Sequence, residues 1–113
     1  MSFLLDFILV FILALCTFIR NTIRTAVNVK KFYRLKYSLL DIHGEDRNQA
    51  VEKMLTICKQ ERENVLDTIP LVEFESRLGF EPSMEYIADA EHLQWKLKLL
   101  DEVIQEELPE LRE

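Results

Sequence analysis

"SFLLDFILVFILALCTFI", residues Ser2 to Ile19, runs for 18 residues with one charge, Asp6. A helix needs about 20 mostly apolar residues to cross the hydrocarbon of a bilayer, with about 17 as the lower bound. The run just qualifies. Asp6 lies near its outer end, where a carboxylate reaches headgroups or water. At the membrane centre the same charge costs about 2.5–3.5 kcal/mol. Residues 1–19 are therefore expected to form a transmembrane helix that meets the bilayer through residues 2–19. A cleaved signal peptide fits less well, because no Lys or Arg precedes the run and no Ala-x-Ala pattern follows it. A lipoprotein-type signal needs a small residue before its cysteine, and "LALC" places Leu15 there. A core helix of a larger protein stays open as the other reading.

Working outward, the charge changes abruptly at Arg20. Residues 20–40 contain six basic residues, Arg20, Arg24, Lys30, Lys31, Arg34 and Lys36, and no acidic one. Residues 45–113 contain 18 acidic and eight basic residues, a net charge of −10. The acidic part is not suited to nucleic acid. The positive-inside rule keeps the basic residues cytoplasmic, which predicts the N-terminus outside and the C-terminus in the cytosol. With no helix breaker, residues 20–42 are expected to continue as a basic juxtamembrane helix. Its apolar side is read from Ile23, Ala26 and Val27, with Lys30 and Arg34 at the same spacing, and is broadened by Val29, Phe32, Tyr33, Leu39 and Leu40. Its six basic residues form a candidate membrane-surface site for an anionic leaflet, at about 1 kcal/mol for each Lys or Arg near the surface. An ordinary solvated helix is the alternative.

Residues 43–113 read as an acidic helical hairpin. Only two Gly and three Pro occur in the chain, so turns are scarce and the expected class is all-α. Gly44 suits a left-handed C-cap and Asp46 a helix start. Val51, Met54, Leu55, Cys58, Arg62, Val65, Ile69 and Val72 then recur at three- and four-residue steps. Pro70 predicts a kink near Thr68–Pro70, or a restart there. In "ESRLGFEPSMEY" (Glu75–Tyr86), Gly79 and Pro82 stop this helix and Ser83 starts a short helical turn. Ser76, Arg77, Gly79, Phe80, Glu81, Pro82 and Ser83 form the expected structural hinge. Asp89 is placed to cap the last helix, whose stripe is Leu93, Leu97, Leu100, Ile104 and Leu108, with Pro109 at its end. Two such helices bury too little apolar area to offset ordering entropy. The basic helix, a second copy or a further domain has to supply a third surface.

Chemistry is sparsely signalled. Glu73, Glu75, Glu81, Glu85, Asp89 and Glu91 are close in sequence, but 20 acidic residues in 113 make such neighbours inevitable, and a solvated face explains them. His43 and His92 lack metal-site spacing. Ser83 has no evident base, and no phosphate loop or nucleophile elbow occurs. Cys16 and Cys58 offer neither a metal spacing nor a disulfide framework. No catalytic residue, metal site or cofactor is expected, and the chain reads as non-enzymatic.

The stretch "IPLVEFESRLGFEPSMEYIADAEHLQWKLKLLDEVI" (Ile69–Ile104) resembles the C-terminal helical module of large bacterial multidomain proteins of glycoside-hydrolase type. The likeness covers about residues 65–113, and Phe80 stands where that family carries Trp. It implies a detached helical remnant without activity of its own. Glycosidases work with carboxylates on a larger scaffold, which a helical chain of this length does not build, so the resemblance brings no catalytic residue. Two functional expectations follow. One is a small membrane-anchored protein whose cytosolic helical module binds a protein partner or itself. The other is the carbohydrate-active remnant.

Overall fold

The computed structural model describes residues 2–74, 80–81, 86–87 and 89–113. The chain is all-α, with a long apolar N-terminal helix followed by an antiparallel helical hairpin. Helix α1 spans Ser2–Ser38, α2 spans Gly44–Phe74 and α3 spans Ala90–Glu102. A π turn, Val103–Glu107, joins α3 to the short α4, Leu108–Glu110. Between α2 and α3 lies one antiparallel pair of two-residue strands, β1 (Phe80–Glu81) and β2 (Tyr86–Ile87), with Phe80 opposite Ile87 and Glu81 opposite Tyr86.

α1 carries the apolar run and the basic segment on one uninterrupted axis. Its 37 residues make about 55 Å of helix at 1.5 Å per residue, and the molecule measures 64 × 26 × 21 Å. The helix stops at Ser38, whose hydroxyl donates to the Leu35 carbonyl at 2.6 Å. A tight turn over Leu39–Asp41 follows. Gly44 has φ +62°, a conformation that a Cβ strains. It opens α2, whereas the sequence reading made it the cap of the preceding helix and Asp46 the start of the next. The five-residue connection folds α2 back antiparallel to α1.

The bundle has two apolar clusters. Leu39, Ala50, Val51, Met54, Cys58 and Leu108 form the lower one, with Phe32, Leu35, Leu100 and Ile104 packed on it. Val65, Val72 and Leu93 form the upper one, with Phe18, Ile69 and Leu97. The basic half of α1 therefore supplies the third surface that the hairpin needs. The inward residues of α1 and the turn after it are Ala14, Phe18, Asn21, Thr25, Asn28, Phe32, Leu35 and Leu39, each buried or half-buried. They recur at alternating four- and three-residue steps, the spacing of a helix-packing seam. Of the residues read from the sequence as the apolar side, Phe32 and Leu39 turn inward, whereas Ile23, Ala26, Val27, Val29, Tyr33 and Leu40 are exposed.

α2 runs through Pro70 without interruption, so the helix does not restart there. Proline has no N–H for the Leu66 carbonyl, and the packing of Ile69 and Val72 in the upper cluster holds this last turn in place. Pro109 stands, as expected, at the end of the final helix, which stops one residue later at Glu110. It falls in the first turn of α4, where a missing N–H costs least, and the π turn just before it shifts the hydrogen-bond register, Leu108 N–H donating to the Val103 carbonyl. The helical turn expected around "SMEYIA" is replaced at Tyr86–Ile87 by strand. Asp89 caps α3 as expected, accepting from the His92 N–H at 2.8 Å.

Candidate functional site

The apolar end of α1 is the chain's most unusual surface. Every residue from Leu4 to Val10 is exposed, as are Ile12, Leu13, Leu15 and Ile19. Leu13 is 66% exposed and Leu4 62%. One 18-residue window of this helix is long and apolar enough to cross a membrane, and 11% of it is buried. A helix that is apolar all round requires an apolar surrounding, and the bundle does not provide one for residues 4–13.

Below this end lies a layer of buried polar side chains. Asn21 is 1% exposed, Glu61 5%, and Asn64 and Thr68 are 7% each. Asn21 Nδ2 donates to Thr68 Oγ1 and to Asp67 Oδ2, both at 2.9 Å. Asn64 Nδ2 donates to the Asn21 carbonyl at 2.8 Å and to Thr25 Oγ1 at 3.0 Å. The Glu61 carboxylate accepts from Thr25 Oγ1 at 2.7 Å, Asn28 Nδ2 at 3.1 Å and Lys96 Nζ at 2.5 Å. Among the described residues, Asn64 Oδ1 is the buried side-chain polar atom without a partner. The layer fixes the register of α1 against α2, since a one-turn slip would break every hydrogen bond that Asn21, Thr25 and Asn28 make with Glu61, Asn64, Asp67 and Thr68. It also ties α3 to both through Lys96. Sequence reasoning missed it because Asn21, Thr25 and Asn28 look like solvent positions; their seam spacing was the available signal.

The same register sets depth. Asn21 lies opposite Thr68 and Asn28 opposite Glu61, so Phe74, the last residue of α2, stands near α1 residue 15. Some 13 residues of α1, about 20 Å of helix, extend past the end of α2.

The six basic residues expected at a membrane surface are all exposed, strung along the axis of α1. Arg20 donates to Asp67 Oδ2 at 3.1 Å, and Lys36 Nζ lies 5.5 Å from the Tyr33 ring centre. Arg20 and Arg24 border one open groove between α1 and α2, and Lys31 and Arg34 border its continuation. Lys36 stands 16 residues beyond Arg20, about 24 Å along the helix. Of the expected hinge, Ser76, Arg77, Gly79, Pro82 and Ser83 lie outside the described residues, as do Glu75 and Glu85; Phe80 and Glu81 form β1.

A second polar cluster closes the opposite end. The Glu113 carboxylate accepts from the Gly44 N–H at 2.6 Å and lies 3.0 Å from His43 Nδ1. Arg47 donates to the Leu111 and Leu39 carbonyls at 2.7 and 2.8 Å. Asn48 exchanges two hydrogen bonds with the Glu113 backbone. The residues after α4 are thereby pinned to the first turn of α2. The Gly44 N–H, then His43, hold the Glu113 carboxyl below its ordinary 4.5. The His92 backbone N–H, then its ring, hold Asp89 below 3.8. A carboxylate with a depressed folded-state pKa stabilises the fold above its unfolded value, and that contribution is lost as pH falls through the folded one. Melting temperature should thus drop on acidification from about pH 5 to pH 3. The drop should be shallower in Glu113→Gln and Asp89→Asn, as followed by circular dichroism.

Burial, then the Glu61 carboxylate, pushes the Cys58 thiol up to about 11. It is a thiol at neutral pH and a poor nucleophile. Among the described residues, no three His, Cys, Asp or Glu side chains gather as a metal-binding group. Protein-family models, curated proteins and solved structures give no match to this chain.

Proposed function

We propose that the chain is a small, non-enzymatic, membrane-anchored protein whose helical bundle presents a protein-interaction module on the cytosolic side. The observation that carries this reading is the exposure of α1 on all sides from Leu4 to Val10. A bundle with Asn21, Glu61 and Lys96 satisfied inside it has no means of covering that surface, whereas lipid does so at no polar cost. The 18-residue run gives about 27 Å of apolar helix, against a hydrocarbon thickness of about 30 Å. Depth then follows from the register. The last turn of α2, with Leu71 and Phe74, stands level with α1 residues 18 to 15, so it enters the cytosolic edge of the bilayer by about 6 Å, and the layer below Arg20 stays in water. Arg20 and Arg24 lie within a Debye length, about 8–10 Å, of the leaflet; Arg34 and Lys36 stand beyond it and are free to meet other partners. The basic flank favours the N-terminus outside and the bundle in the cytosol.

Alkaline carbonate extraction of membranes from expressing cells tests the anchor. The protein should stay in the membrane pellet, and its recovery in the soluble wash would overturn the reading. The second reading, a detached module of a glycoside-hydrolase-type protein, draws support from the string Ser76–Tyr86. An in-frame or frameshifted glycosidase-like coding sequence immediately upstream would favour it.

A further inference from the structure

The α1–α2 hairpin has two long faces. α3 covers one, through Lys96 on Glu61 and Arg62 Nε on Asp101 Oδ1 at 2.7 Å. The other is an open groove in two stretches, about 600 Å³ and about 470 Å³, that meet at Gln60. Ile23, Val27 and Ile57 give it an apolar lining, and five basic residues, Arg20, Arg24, Lys31, Arg34 and Lys53, outnumber the two acidic ones, Glu63 and Asp67, of which Asp67 is paired with Arg20. The outer face of α3 is its counterpart. Glu91, Trp95, Leu99, Glu102 and Glu106 recur at four, four, three and four residues, one stripe of a helix. Trp95 is 62% exposed and Leu99 40%, an apolar pair between acidic ends.

The two surfaces also match in height. α3 runs in the same direction as α1. Glu61 holds Asn28 and Lys96 at one level, and Leu39 and Leu108 share a cluster at another. Trp95 therefore stands level with Val27, and Leu99 with Lys31. Glu91 is level with Ile23–Arg24, and Glu102 with Arg34. When two copies stand side by side at equal depth, Trp95 meets Val27, Glu91 and Glu102 meet Arg24 and Arg34, and Leu99 meets the aliphatic stem of Lys31.

We propose that the acidic face of α3 of one copy docks into the basic α1–α2 groove of a second copy. The shared depth rests on the membrane anchor proposed above, since copies held in one bilayer have the same orientation and height. The contact joins different faces of the two copies, so it builds rings or rows around the membrane normal. Helix-in-groove recognition of this kind reads anchors three and four residues apart.

The test uses the full chain in detergent micelles, with mass followed by sedimentation and fold by circular dichroism. Carbonate extraction is run alongside, so that loss of the anchor and loss of association are read separately. Arg24, Lys31, Glu91 and Glu102 are exposed and make no ion pair among the described residues, so reversing them leaves the bundle intact. The wild-type chain should associate, with an affinity that falls as salt rises. Glu91→Lys/Glu102→Lys and Arg24→Glu/Lys31→Glu should each weaken association by about tenfold or more, and an equimolar mixture of the two should regain it. A monomeric wild-type chain overturns the proposal, as does a mixture of folded variants that stays monomeric. Loss of binding to phosphatidylserine vesicles by Arg24→Glu/Lys31→Glu, with a monomeric wild type, overturns it too and assigns the groove to lipid headgroups.

Discussion

Val10→Arg should move the protein from the membrane pellet to the soluble wash. Val10 lies near the middle of the apolar run, 49% exposed and in neither apolar cluster. An arginine at the centre of a spanning helix costs about 2.5–3.5 kcal/mol, roughly a hundredfold in the insertion equilibrium at 1.4 kcal/mol per decade. Because Val10 lies outside the bundle core, the substitution should leave the melting transition of the bundle where it was. That combination separates lipid from protein as the cover for α1. If residues 4–13 were instead a core helix of some larger assembly, carbonate would strip the wild-type chain as readily as the variant.

Lys96→Met should be the most damaging single change within the bundle. Glu61 is 5% exposed, and Lys96 is its only cationic partner among the described residues, at 2.5 Å. Without Lys96 the carboxylate keeps its hydrogen bonds from Thr25 and Asn28 but loses its counter-charge inside the bundle. Breaking a buried pair costs about 3–5 kcal/mol. With the Lys96 side chain 34% exposed, about 2–3 kcal/mol is expected after discounting for solvent screening. For a chain of this size that lowers the melting temperature by roughly 10–20 °C. Glu61→Leu added to Lys96→Met should recover most of the loss, since an apolar pair of similar volume removes the stranded charge. A melting temperature within 2–3 °C of wild type for Lys96→Met alone would mean that water reaches Glu61 and that the polar layer does not lock the register.

The parts of this fold that hydropathy and local chemistry govern are readable from the sequence. The apolar run, the all-α class, the Asp89 cap and most of the α2 and α3 stripes are of this kind: Val51, Met54, Cys58, Val65, Val72, Leu93 and Leu108 are all buried. The seam of α1 is not, because its central positions are Asn21, Thr25 and Asn28. Those side chains turn inward only because Glu61, Asn64 and Thr68 meet them from α2, and that match is between residues more than 30 apart. With the polar positions set aside, Phe32 and Leu39 mark the inward face, but Ile23, Val27 and Val29 draw the reading to the exposed one. The restart offered at Pro70 misleads for a related reason. Proline stops an isolated helix, but tertiary packing carries α2 through Pro70. The hydrogen bonds between Glu113 and the α2 start likewise depend on contacts about 70 residues apart.

The two cysteines provide the most direct test of the central claim, that the apolar turns of α1 lie in lipid while the rest folds as a bundle in water. Cys16 is exposed on α1 and Cys58 is buried in the lower cluster. The wild-type chain in phospholipid vesicles is treated with a charged, water-soluble maleimide, and the same preparation is treated after solubilisation in SDS. The account predicts that neither thiol reacts appreciably in vesicles and that both react in SDS. Rapid modification of Cys16 in vesicles, with Cys58 still protected, would mean a folded bundle whose apolar helix is in water, and would contradict it.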